Sequence, residues 1–382
     1  MNGIWYYAIA FVIIWVVAIV FKKYLEGYGV EVTFPVLMWK TQRLRGFIDK
    51  IANLSKRFWK WFMNIGIVVS VIFMVIMAIT LVYSLTMITT TPSVSLLLPG
   101  VDVPGSPIFI PFFYGFVALA TVIIVHEFSH GILARVENVS LKSIGLLLFA
   151  ILPGAFVEPD EEDMENISKP GKLRIYAAGS MGNLSLAAIA LVLMMVCSAF
   201  IVPACFHEDG IEIDRIVSGS PAEGYLKSGM IIKSINNHSV TDSESYVNSV
   251  SYLKPNSIVT VGTDQGNIEF KGSVNPNNKS LGYMGVQAQK HYSLNDGFDN
   301  QPYSPLMWIL IQLPQLFMWI ALLNFAVGTF NLLPMKPLDG GHIFETLLSY
   351  VCSDMILKAI VTFVSYLMAM IIIISLVYSF MI

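Results

Sequence analysis

Residues 117–134 read Val-Ala-Leu-Ala-Thr-Val-Ile-Ile-Val-His-Glu-Phe-Ser-His-Gly-Ile-Leu-Ala, an apolar run that closes on His126-Glu127-Phe128-Ser129-His130. On a helix, side chains four positions apart lie one above the other. Both imidazoles can then reach one metal ion while Glu127 stands beside the water the ion holds. Two histidines and a glutamate at the end of a long apolar helix are costly unless paired or bound, and such residues mark functional sites. The run therefore predicts a membrane helix with a metal centre on it.

The rest of the chain supports the membrane reading. Of 382 residues, 55% are hydrophobic and only 13% charged, against roughly 25% charged in soluble proteins. An ordinary water-soluble enzyme is excluded. A net charge of −3 is too small to imply an electrostatic partner, so no nucleic acid is expected. Cys197, Cys205 and Cys352 form no CxxC pattern, which argues against both a disulfide framework and a cysteine-held zinc. Six stretches are apolar enough to cross a bilayer: residues 4–21, 65–88, 108–134, 175–202, 306–333 and 359–382. The first lacks a basic region ahead of it and a small-residue cleavage site, so it reads as a retained span and not as a signal peptide.

Residues 22–60 carry nine Lys/Arg against Glu26, Glu31 and Asp49, which assigns this loop to the cytoplasm and both termini to the outside. Within it Leu44, Phe47, Ile48, Ile51, Leu54 and Phe58 recur at helical spacing, predicting a helix on the membrane surface that serves as an anchor. Residues 143–157 are too short to cross, carry Pro153-Gly154 and lead into the acidic run Glu158 to Glu165. They predict a re-entrant hairpin, which requires a wet or protein-covered cavity. After Val202 the chain turns polar and glycine-rich, with short β-like runs at residues 211–217, 230–235, 258–261 and 267–270 and a helical stretch at 243–253. The order of a strand, Gly219-Ser220-Pro221-Ala222-Glu223, the run Lys227 to Asn237 and that helix resembles a PDZ domain, implying an external module that binds peptide by strand addition or serves as a spacer.

The domain reading is a first transmembrane helix in 1–21, a basic cytoplasmic loop in 22–64 and a second helix in 65–88. A core follows in two halves, 107–202 and 306–350, with the PDZ-like module at 207–290 between them and a C-terminal helix in 356–382. The fold class is thus an α-helical polytopic membrane protein of about six transmembrane helices, with a re-entrant hairpin and a small β-rich domain.

A catalytic zinc wants three protein ligands. The pattern HExxHxxGxxH fails, since Leu133 and Val136 stand where Gly and His are needed. Glu137 is too close in sequence and on the wrong face. Asn331-Leu332-Leu333-Pro334-Met335-Lys336-Pro337-Leu338-Asp339-Gly340-Gly341 is the better candidate, an acid among helix breakers at the end of a span.

HExxH in one span and NxxPxxxLDGG in a later one resemble the paired signature of the site-2 protease family, intramembrane zinc metalloproteases. Gly179-Ser180-Met181-Gly182-Asn183 looks like that family's GxxxN element, and Gly154 to Asp160 is similar to the segment that follows its zinc motif. The resemblance implies one zinc ion held by His126, His130 and Asp339, with Glu127 as general base. Asn183 and Asn331 become candidates for oxyanion or substrate contact, and Pro334 and Gly340 shape the site. It further implies a transmembrane protein substrate, cut near the cytoplasmic face of the cell membrane. An edge strand at 144–149 or 155–157 could receive the unwound substrate. His342, three residues past Asp339, could support the site, whereas His207, His238 and His291 lack metal spacing. Two other classes stay open on the residues alone: a multi-span metal transporter, and a silent membrane adaptor presenting its PDZ-like domain.

Overall fold

The structure is a computed structural model that describes residues 4–87, 98–101, 106, 108–276, 278–295 and 305–381. It divides into two compact units, Met1–Met194 with Pro314–Ile382, and Met195–Leu313. The first begins with the uncharged α1 (Ile4–Val20) and the short α2 (Lys22–Gly27), then β1 (Val30–Thr33), β2 (Val36–Thr41), α3 (Arg45–Leu54) and α4 (Lys56–Ser84). It continues with α5 (Phe112–Val136), β3 (Leu141–Phe149), β4 (Leu152–Pro159), α6 (Glu161–Asn166) and α7 (Lys169–Val196). Among the described residues, five helices are long and apolar enough to cross a membrane: Lys56–Ser84, Phe112–Val136, Lys169–Cys205, Pro305–Phe330 and Asp354–Ser379. The first of the six expected spans is helical over 17 residues, about 25 Å of rise against a hydrocarbon core of about 30 Å. The expected external loop 89–107 lies almost wholly outside the described residues.

The basic segment differs from its reading as a loop with one surface helix. Val30–Thr41 alternates and is rich in β-branched residues, and it forms a hairpin through Phe34-Pro35. That hairpin joins β3 and β4 in a four-stranded antiparallel sheet, ordered β1-β2-β3-β4. The surface helix also stops early. Ser55, at φ −164° and ψ 91°, leaves helical geometry and caps α4 by accepting from the Phe58 N–H at 3.2 Å. Ile48 and Ala52 of α3 are buried, so one face of this helix packs instead of lying free.

The expected hairpin at 143–157 is present as β3–β4, with its turn at Ala150 (φ 56°) rather than at Pro153-Gly154. Gly145 is needed inside β3, because a Cβ there would lie 2.4 Å from the Trp39 carbonyl oxygen. Strand β3 is paired on both sides, which removes residues 144–149 as an open edge, whereas β4 has no second partner among the described residues. An apolar groove of about 300 Å³ lies along the sheet, lined by Val30, Leu37, Trp39, Leu146 and Leu147 among others. The sequence predicts a wet or protein-covered cavity here.

The second unit carries α8 (Val202–Cys205), β5 (Phe206–Ile216), β6 (Ile231–Ile235), β7 (His238–Ser239), α9 (Ser243–Ser251), β8 (Ile258–Thr263) and β9 (Gly266–Lys271). Then follow β10 (Ser273–Val274), β11 (Gly282–Tyr283) and β12 (Val286–Leu294). Its main sheet runs β12-β5-β6-β8-β9 over a core of Ile211, Ile213, Ile232, Ile235, Val259, Val261 and Phe270. Asp242 and Ser245 form a capping box that starts α9. The outer strands reach Phe206 and Leu294, slightly beyond the expected 207–290.

The chain re-enters the first unit through α10 (Pro305–Phe330), α11 (Asp339–Leu348) and α12 (Asp354–Met381). The principal core joins Ile48 of α3, Leu133 and Val136 of α5, Val157 of β4, Leu173 and Ile175 of α7, and Leu332 and Ile343 around α11. It lies beside the HExxH turn, so the same packing that holds the bundle holds the site.

Candidate metal centre

His126 and His130 project from α5 one turn apart, and Asp339 begins α11. His126 Nε2 and His130 Nε2 are 3.2 Å apart, and they stand 3.4 and 3.3 Å from the two carboxylate oxygens of Asp339. Ligands bound at 2.0–2.1 Å around a tetrahedral ion are about 3.3 Å from one another, so the spacing fits zinc. The donor chemistry fits as well. His130 Nδ1 meets the Ile175 carbonyl at 2.7 Å, which makes Nδ1 the protonated nitrogen and turns the Nε2 lone pair inward. Among the described residues this is the one cluster of three His, Cys, Asp or Glu side chains with such spacing, and no Lys or Arg pairs with Asp339. Two lone pairs and a carboxylate converging without a cation call for one.

Helix α7 supplies what surrounds these candidate ligands. A Cβ on Gly179 would fall 2.3 Å from His130 Nε2 and 2.7 Å from His126 Nε2. The glycine therefore leaves the volume that an ion would occupy. Ser180 Oγ donates to Asp339 Oδ2 at 3.3 Å. Asn183 is fully buried, and its amide lies 3.3 Å from His126 Nδ1 while its Oδ1 has no partner. Turning that amide so that Oδ1 accepts from Nδ1–H satisfies both groups and leaves His126 Nε2 free to bind. Gly182 lets Ser129 approach, since a Cβ there would meet Ser129 Oγ at 2.2 Å.

Glu127 is held from the sheet. Its Oε2 accepts the Val157 N–H of β4 at 3.1 Å. On the far side, the chain after α10 folds back on itself so that Asp339 can arrive. Gly340 N–H donates to the Asn331 carbonyl at 2.8 Å, and a Cβ on Gly340 would lie 2.2 Å from the Leu332 carbonyl oxygen. Pro334 is buried within this turn. Asn331 thus enters through its backbone, with its side chain half-buried.

His342 stacks on Tyr176 with ring centroids 5.0 Å apart. In the second unit His207 meets Asn295 at 3.1 Å and His291 meets Asp209 at 2.5 Å, while His238 is exposed.

Sequence reasoning had missed the Ile175 carbonyl and the Val157 N–H, which carry no motif of their own, and it gave Ser180 no role although that residue stands within the GxxxN stretch. Glu137, set aside from the sequence as a metal ligand, caps α5 and has a structural part that the sequence did not disclose. That carboxylate is 8% exposed, accepts Arg174 Nε of α7 at 2.7 Å and pairs with Lys60 of α4 at 3.2 Å. Burial alone would raise its pKa, but Arg174 and Lys60 outweigh it and hold the carboxyl below the usual range. The local excess of basic residues on α4 and α7 was its only sequence signal.

Comparison with known proteins supplies the family. Residues 114–375, more than half of the chain and every element of the site, match peptidase family M50. The chain belongs to peptidase family M50, the site-2 protease family. M50 peptidases are zinc metalloproteases, and with five apolar helices this member is an integral membrane protein. An uncharacterized protein of Methanocaldococcus jannaschii is 30% identical over 237 residues, 62% of this chain and 57% of that protein. A membrane-bound transcription factor site-2 protease homolog of Arabidopsis thaliana is 28% identical over 122 residues, 32% of this chain and 24% of that protein. The chain thus spans less than two thirds of either relative.

Proposed function

We propose that the chain is an intramembrane zinc endopeptidase that cuts peptide bonds in or near transmembrane segments of other membrane proteins. The observation that carries this is the trio His126, His130 and Asp339 at 3.2–3.4 Å spacing with Glu127 adjoining it. The three side chains would hold zinc, which when bound acidifies water and polarises the scissile carbonyl. Glu127 has one oxygen fixed by Val157 and the other free to take the proton of the attacking water. It then passes that proton to the leaving nitrogen. Asn183 and the Ile175 carbonyl keep both imidazoles aimed. Asn331 is left as the candidate for oxyanion or substrate contact.

A transmembrane helix hides its carbonyls in hydrogen bonds, so a substrate must be extended to be cut. The free edge of β4 runs past Glu127 and would receive such a segment by strand addition. The basic flank of α4 favours a cytoplasmic site in the cell membrane. The β-rich unit, read as PDZ-like, would then lie outside and screen the external part of the substrate or bind a peptide end. The test is Glu127→Gln in the purified chain. Zinc content is expected to stay at one per chain while cleavage of a single-span substrate falls to background. Cleavage retained in that variant refutes the mechanism, and metal flux without cleavage would indicate a transporter.

A further inference from the structure

Helix α3 has two apolar faces, and packing uses one. Ile48 and Ala52 are buried, while Leu44, Phe47 and Leu54 are 40, 53 and 74% exposed. Phe47 and Leu54, seven residues apart, form a strip along one side of α3 with Lys50 beside it, and the exposed Arg43 and Leu44 stand in the turn that leads into the helix. The strip continues past Ser55 into the foot of α4, where Arg57, Phe58 and Trp61 are exposed. The Trp59 indole N–H donates to the Ile51 carbonyl at 3.0 Å and holds the two helices together. The acids of this segment are committed elsewhere: Glu26 to Lys22, Glu31 to Lys40 and Asp49 to Arg135. Arg43, Lys50 and Arg57 therefore face outward without a carboxylate among the described residues. Exposed apolar side chains bordered by cations at the foot of an apolar span match a bilayer interface whose headgroups are anionic.

The same helix is seated on the machinery. Phe47 sets its ring against Phe128 of the HExxH turn at 6.0 Å, and Arg45 donates to the Lys142 carbonyl of β3. Ile48 Cδ1 and Val157 Cγ1 meet over Gly131, 3.0 and 3.1 Å from where its Cβ would be. Gly131 is one turn below Glu127, and Val157 is the residue whose N–H fixes the Glu127 carboxylate. Moving α3 away would release the support behind that strand.

We propose that α3 and the foot of α4 dock on anionic lipid headgroups, and that this docking holds β4 and Glu127 in register, so that hydrolysis depends on headgroup charge. The activity readout rests on the protease reading above; the docking does not. Each basic residue near an anionic surface is worth about a fivefold shift, so Arg43, Lys50 and Arg57 together give about a hundredfold.

The test reconstitutes the full chain in phosphatidylcholine vesicles and in phosphatidylcholine mixed with phosphatidylglycerol. Zinc content, cleavage rate and backbone hydrogen exchange over Arg45–Leu54 are read in both. Equal zinc, slower exchange and severalfold faster cleavage are expected with the anionic lipid. The gain should shrink in high salt and in the Arg43→Gln, Lys50→Gln, Arg57→Gln triple variant. Leu54→Ser, which keeps every charge, should weaken docking in both vesicles. Equal exchange and equal rates in the two lipids, or a triple variant that keeps the full stimulation, overturns the proposal. Protection that follows protein-to-lipid ratio instead of headgroup charge assigns the strip to a second copy and also overturns it. Anionic-lipid protection of α3 with no cleavage in any vesicle would support docking and count against the protease reading instead.

Discussion

Replacing Gly179 by alanine places one methyl group where the ion would sit. The added Cβ would stand 2.3 Å from His130 Nε2 and 2.6 and 2.7 Å from His126 Cε1 and Nε2, whereas non-bonded atoms need about 3.5 Å. Relief requires a movement of about 1 Å, half the length of a zinc–nitrogen bond of about 2.0–2.1 Å. The rings cannot yield freely, because His130 is tied to the Ile175 carbonyl and His126 to Asn183, both on the helix that carries Gly179. Loss of a hydrogen bond behind a ligand costs about 10–100-fold in metal affinity. Disturbing both predicts a loss of about 10²–10⁴. The assay is zinc competition against a chelator on the purified chain, with circular dichroism to show that the helices persist. Gly182→Ala is the comparison, since its Cβ meets the Ser129 hydroxyl, which can rotate away; a loss below about tenfold is expected there. A Gly179→Ala chain that holds zinc as tightly as the parent would refute the assignment of that volume to the ion.

The other predictions concern Glu137, the β4 edge and the β-rich unit. Glu137→Ala leaves the Arg174 guanidinium, 13% exposed, without its buried partner, and should destabilise the chain by about 3 kcal/mol in denaturant melts; an unchanged midpoint would contradict it. Alternation along β4 turns the Ala155 N–H to the same side as that of Val157, away from β3. Ala155→Pro should therefore lower cleavage without loss of zinc or fold, and full activity would exclude strand addition there. Asp209 accepts from Ser293 Oγ at 2.7 Å and faces His291 and Lys233. Burial alone would raise its carboxyl, but these partners hold it below the ordinary value. A depressed folded pKa gives stability that is complete above the ordinary value of about 4 and vanishes as pH falls through the folded value. Melts from pH 6 downward should accordingly lose less stability in Asp209→Asn than in the parent, and identical acid limbs would refute this.

The sequence disclosed most where a single cause dominates. Apolar length marked six stretches, of which five are helices long enough to cross among the described residues and the first is a shorter one, and the spacing of His126 and His130 placed two candidate ligands on one face. Asp339 was legible because an acid among Pro334, Pro337, Gly340 and Gly341 has little reason to stand at a span's end. The β1–β2 hairpin was lost because its basic flanks spoke louder for orientation than its alternation did for a strand. The sequence offered residues 144–149 and 155–157 as candidate edges but could not choose between them. Whether β3 or β4 is outermost depends on β2 pairing with β3 from roughly a hundred residues away, a tertiary choice with no local mark. Backbone partners such as the Ile175 carbonyl and the Val157 N–H are likewise invisible, since every residue type offers them.

The three convergent side chains also set a schedule. His126 and His130 are made early, but Asp339 follows only after the β-rich unit and α10, roughly 200 residues later, which at the usual pace of translation is about 10–40 s. During that interval the nascent chain carries both imidazoles and Glu127, while the third candidate ligand is still to be made. Splitting the candidate site across the chain thus keeps its three side chains from meeting until roughly 200 residues after His130 have been made.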